Sequence, residues 1–95
     1  MTMTFQQFMS AVEGLLSGTA EGKGYNGSGP DGDNQLYRFV REMTGGDHHA
    51  AGECIYKIKR FEAKGNIEDV IKCAAWCFLI AKHYQPKAEL RHDPS

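Results

Sequence analysis

Apolar residues along this chain recur at helical spacing in four separate stretches. Phe5, Phe8, Met9, Val12, Leu15 and Leu16 follow an i, i+3, i+4, i+7 rule, which predicts an amphipathic helix over about 4–17. Thr4 or Thr2 is its candidate N-cap and Gly18 its stop. Residues 18–34 then break the rhythm with six glycines, Pro30 and two aspartates, the signature of a Gly-rich loop. Leu36, Phe39, Val40 and Met43 share one side of a short helix over about 34–44. Asp33 or Asn34 can cap it, and Thr44-Gly45-Gly46 ends it.

A third helix is predicted over 48–64, capped by Asp47, with Ala51, Cys54, Ile55, Ile58 and Phe61 as its core stripe. Gly65 suits the left-handed position after it. Asn66 caps a fourth helix that runs to about Tyr84, where Pro86 bars continuation. Asp69, three residues past that cap, completes a box-like start and complements the helix dipole. Val70, Ile71, Cys73, Ala74, Ala75, Cys77, Phe78, Ile80 and Ala81 cover more of this helix than one packing face needs. It is therefore either the central helix or a helix that also meets another subunit.

No stretch alternates with the period of a strand, so the fold class is all-α: a small four-helix bundle with a C-terminal helical hairpin. It forms a single helical domain over 1–84, followed by a flexible C-terminal tail over 85–95. A chain of 95 residues buries only ~60–65% of its unfolded surface. Marginal stability at that size favours a homo-oligomer.

A formal net charge of −1 argues against general nucleic-acid binding. The charge is uneven, however: from Arg38 to His83 there are eight Lys/Arg against six Asp/Glu. The first residues lack the basic and apolar regions of a signal peptide. The longest apolar run, Cys73 to Ala81, is about half a bilayer span, so no membrane partner is expected. An odd number of cysteines, all at helical positions, fits a reducing, cytoplasmic setting.

Each helix of the hairpin carries a second stripe that packing alone does not require. His49, Glu53, Tyr56 and Arg60, with Lys57 beside them, form one; Asp69, Lys72, Trp76 and His83 form the other. Arg60, Lys57 and Lys72 can take phosphates, Tyr56 and Trp76 can stack on bases, and Glu53 can accept from a base or ribose. The plainer account is a solvated face with weak surface ion pairs. Trp76 is expected away from the main core, which the pattern centres on Val70 and Ala74. A Trp so placed usually meets a partner chain or a ring-bearing ligand.

Gly22-Lys-Gly-Tyr-Asn-Gly27 matches G-x-G-x-x-G, but it follows a helix and no strand precedes it, so no dinucleotide fold is expected. Lys23 and Tyr25 remain possible loop contacts to an anion. His49 and Glu53 stand four residues apart, as do Cys73 and Cys77, and such pairs can share an ion. Without C-x-x-C or H-E-x-x-H, a metal is not predicted and the cysteines read as small apolar residues. No cofactor is expected, with Mg²⁺ needed only if the protein is enzymatic.

Gly52, Ile55, Ile58, Arg60, Lys64, Gly65, Glu68, Asp69, Lys72 and Trp76 resemble the pattern of a family of short phage proteins. That family includes a phage nucleoside monophosphate kinase that lacks a P-loop. The resemblance covers residues 48–83; residues 1–46 find no counterpart. Asp69 to Trp76 is seven residues rather than the family's six, which turns Trp76 by ~100° from the family position. The resemblance implies a phage origin, hence a host-cell cytoplasmic setting, and a nucleotide ligand.

Three functions follow as expectations. The first is a nucleotide-binding protein that holds a phosphate-bearing nucleotide at a subunit interface, with an anti-defence role if it sequesters a host-defence signalling nucleotide. The second is an enzyme, a nucleotide kinase or pyrophosphohydrolase. There Glu53 and Asp69 would hold Mg²⁺ and His49 would move a proton. The third is a protein–protein inhibitor of a host enzyme that docks through the Trp76 face.

Overall fold

The computed structural model describes residues 2–17 and 30–85. They form four helices: α1 (Phe5–Leu16), α2 (Gln35–Thr44), α3 (His48–Lys64) and α4 (Ile67–Lys82). Among the described residues there is no strand, and the chain is a small all-α bundle. The predicted contacts from Lys23 and Tyr25, most of the Gly-rich loop and the tail beyond Gln85 lie outside the described residues. None of the described helices is long and apolar enough to cross a membrane.

Local chemistry sets most of the helix ends. Thr4 and Gln7 form a reciprocal capping box at the start of α1: the Gln7 N–H donates to Thr4 Oγ1 at 3.1 Å, and the Thr4 N–H donates to Gln7 Oε1 at 2.8 Å. Gly45 and Gly65 end α2 and α3 with φ of 83° and 72°, and each donates its N–H back into the last turn. The Asn66 side chain accepts from the Glu68 N–H to open α4.

Two predicted caps are spent elsewhere. Asp47 precedes α3 without capping it, because Tyr37 and Arg41 both donate to its Oδ1. Asn34 precedes α2 in the left-handed region, φ 49°, and its side chain turns to Lys82 and His83 instead of the helix.

The core gathers on α4. Ile71, Ala75, Trp76 and Leu79 are buried together with Val12 and Leu16 of α1, Tyr37 of α2 and Ala50 of α3. Helix α4 packs against both α1 and α3, which accounts for its broad apolar arc. Trp76 is core, against the sequence expectation, and its indole lies between the rings of Tyr37 and His49.

The predicted stripes on α2 and α3 depart further. Phe39, Met43 and Ile55 are 56%, 70% and 65% exposed, and Ile58, Leu36 and Ala51 also face solvent. Of the predicted α3 stripe, Cys54 does pack against the core and Phe61 is half-buried; Ala50 replaces Ala51 as the buried alanine, and Glu53, Lys57 and Arg60 are half-buried as well. The reason is that Trp76 governs the packing. One indole removes ~150–250 Å² from water, more than any single isoleucine. The small Ala50 is buried in the same cluster and leaves it room.

Candidate functional site

The two hairpin stripes do meet, and they meet each other. Arg60 Nε lies 3.7 Å from Asp69 Oδ1, close enough for attraction but too far for a hydrogen bond. The Asp69 side chain is only 4% exposed, and its Oδ2 has no hydrogen-bond partner among the described residues. Lys57 Nζ donates to Glu53 Oε1 at 3.1 Å, one turn back on α3. Lys57 and Arg60 both flank the exposed Tyr56 ring, at 5.3 and 5.7 Å from its centroid.

Further along, the His49 ring stands edge-on to Trp76, 5.2 Å between centroids at 87°. Lys72 is half-buried and in no ion pair among the described residues. The sequence-predicted residues therefore build the α3–α4 contact. Tyr56 is the exposed aromatic ring of that set, and the charges around it are largely neutralised in pairs.

His83 belongs to a different place. Its ring packs 5.4 Å from Tyr37, and its Nε2 lies 3.1 Å from Asn34 Oδ1. This is the wall of an open groove of about 1220 Å³ between α2, the α2–α3 turn and the end of α4. Arg38, Arg41, His48, Lys82 and His83 line it beside the rings of Phe39 and Tyr84. Glu42 and Asp47 are its acidic members.

The charges of this groove act on one another. Tyr37 Oη donates to Asp47 Oδ1 at 2.5 Å, and Arg41 Nε donates to the same oxygen at 2.8 Å. Burial alone would raise the Asp47 carboxyl, but these two bonds and the Arg41 charge hold it below its ordinary value. Burial first, and then the adjacent carboxylate, push the Tyr37 phenol up. His83 is held below its ordinary value by burial and then by Lys82, Arg38 and Arg41, with Asp33 opposing.

Lys82 also fastens the groove's edge. Its ammonium donates to the carbonyls of Pro30 and Gly32 and to Asn34 Oδ1, tying residues 30–34 to the last turn of α4. Arg38 pairs with Asp33 at 3.1 Å and stays half exposed.

A second cluster lies on the hairpin, where sequence spacing made the cysteines small apolar residues. Cys54, Cys73 and Cys77 bring their sulfurs within 4.8 Å of one another. Cys54 Sγ lies 3.7 Å from Cys77 Sγ and 3.7 Å from the Cys73 carbonyl oxygen. Burial and the neighbouring thiols push Cys54 up to about 12.

Sequence patterning missed Tyr37, Arg41, Asp47, Lys82 and the third cysteine of this cluster. A weak signal existed for the last: Cys73 and Cys77 share a helical face, and Cys54 stands in the facing helix. No family model matches this chain, no curated protein matches it, and no solved structure matches it.

Proposed function

We propose that this protein binds a phosphate-bearing nucleotide in the groove between α2 and the end of α4, as part of a homo-oligomer. The observation that carries the reading is the groove itself. Three fixed cations and two imidazoles surround an open volume flanked by two exposed aromatic rings. Phosphate needs the cations and a base needs a flat ring; Lys82, Arg38 and Arg41 add, after burial, to the lowering of His83, which supports an excess of positive charge there. Tyr56, with Lys57 and Arg60 beside it, offers a secondary stacking surface on the hairpin.

The oligomer part rests on apolar exposure. Phe39 and Ala51 line the groove, and Phe39, Met43, Ile55 and Ile58 on the same two helices are large apolar side chains left exposed. A second copy seated on that stripe buries it and places the groove at a subunit boundary.

Thermal unfolding with a panel of mono-, di- and cyclic nucleotides tests the ligand. At 100-fold excess over Kd, binding adds ~2.7 kcal/mol, which raises Tm by several degrees. Arg38→Ala, on a half-exposed side chain, is expected to abolish that rise without loss of helicity. A rise unchanged in Arg38→Ala would overturn the groove assignment, and no rise for any nucleotide would overturn the ligand class. Chromatography of the same mixtures with Mg²⁺ separates binding from conversion, and a converted nucleotide would favour an enzyme.

The exposed stripe also favours a second reading, a docking surface for a different protein such as an enzyme it inhibits. Native mass spectrometry distinguishes the two. A multimer that Ile58→Lys splits into monomers supports self-association, and a monomer with no retained nucleotide supports the docking protein.

A further inference from the structure

We propose that Cys54, Cys73 and Cys77 form a three-thiolate site for a single thiophilic d¹⁰ cation, with Zn²⁺ as the reference ion. The sequence places Cys73 and Cys77 one turn apart on α4, so both sulfurs leave the same face. The hairpin turn at Gly65-Asn66 folds α3 back antiparallel, and Cys54 arrives opposite them. The three sulfurs then lie within 4.8 Å of one another.

The separation matches the chemistry. Four ligands at ~2.3 Å in a tetrahedron put neighbouring sulfurs ~3.8 Å apart. Cys54 and Cys77 already stand at 3.7 Å, and the remaining approach is within reach of side-chain rotation. A disulfide would need ~2.05 Å between two sulfurs and would leave the third thiol idle. A three-sulfur corner uses all of them.

Access and coordination number agree with an open site. Cys77 is exposed, and it also lines a cavity of about 440 Å³ between α1 and α4 with Met9 and Glu13. That side leaves the fourth position to water or to an incoming ligand. The balance is simple: the hydrated cation gives up waters, three S–H bonds break, three metal–sulfur bonds form, and three protons pass to solvent. The site lies on the hairpin, away from the α2–α4 groove, and so stands or falls independently of nucleotide binding.

The test uses the full chain, reduced and oxygen-free, with a thiol titration confirming three free sulfhydryls. Titration with Co²⁺ should produce a sulfur-to-cobalt charge-transfer band and intense tetrahedral ligand-field bands, saturating at one ion per chain. Zn²⁺ should bleach them, and a weakly buffered solution should acidify by three protons per ion. Cys77→Ser, the exposed member, is expected to lose the bands while circular dichroism shows the helices intact, and Cys54→Ser should do the same. Absence of the bands overturns the proposal. So does a spectrum that survives Cys54→Ser, or saturation at one ion per two chains, which would mean ligands drawn from separate hairpins.

Discussion

Replacing Arg60 by alanine removes the charge facing Asp69 and leaves a carboxylate that is almost wholly out of water. The acceptor side chain is 4% exposed and the guanidinium side chain 42%, at 3.7 Å. Asp69 keeps one other source of support, the N-terminal end of α4, where the helix dipole contributes ~0.3–1 kcal/mol. Breaking a fully buried pair costs ~3–5 kcal/mol. Water reaches Arg60, so solvent screening lowers the figure to ~1.5–3 kcal/mol here.

Asp69→Asn keeps the shape and removes the charge, at a cost of ~1 kcal/mol or less from the lost dipole interaction. The double variant should then fall short of the sum by ~1–2 kcal/mol. Urea unfolding followed by helical circular dichroism gives all three differences, provided that the slope is unchanged. Costs that add, or an Arg60→Ala variant within ~0.5 kcal/mol of the parent, would refute the idea that this pair braces the hairpin.

Three further outcomes are expected. Tyr37→Phe removes one of the two donors to Asp47 and should cost ~1.5–3 kcal/mol near neutral pH. Asp47 sits below its ordinary 3.8 in the folded state. Its stabilising share is therefore present above that value and lost as pH falls through the lower one. In Tyr37→Phe the acid transition should shift to higher pH, as urea midpoints between pH 2 and 5 will measure. His83 should titrate below 6.5 in proton NMR, so its share of stability is whole above 6.5 and is lost as pH falls from there through the lower folded value. An anion bound in the groove should move that titration upward, and no movement would argue against binding there. Gly52 is exposed within α3, and a Cβ there meets nothing within 4 Å. Gly52→Ala should gain ~0.5–1 kcal/mol in thermal or urea unfolding, and a loss instead would reveal a contact made only in an assembly.

The helices were legible because most boundaries carry their own local chemistry: the Thr4 box, the left-handed Gly45 and Gly65, and the Asn66 cap. The faces were harder to read. Periodicity counts apolar residues and ranks the Ile55–Ile58 side of α3 first, yet the packing follows one large ring, Trp76, and the small Ala50 beside it. The same limit hid the α2–α4 groove. Arg38, Arg41, Lys82 and His83 are 41 to 45 positions apart across the pair of helices, and spacing says nothing about a meeting made by tertiary contact. Asp47 looked like a cap because caps are its commonest use. The hydroxyl and guanidinium that claim it come from the preceding helix, ten and six residues earlier.

An ammonium has three protons to give, and Lys82 has already given all of them to Pro30, Gly32 and Asn34. It can lend an incoming phosphate its field but no hydrogen, unless the segment it holds lets go. Direct grip is left to the guanidinium groups: Arg41 has only its Nε firmly committed, to Asp47, and the Asp33 partner of Arg38 is itself solvent-facing and easily exchanged. Any molecule that did recruit Lys82 would unbutton residues 30–34 from α4 in the same act, turning occupancy of the groove into movement of the chain that leads to it.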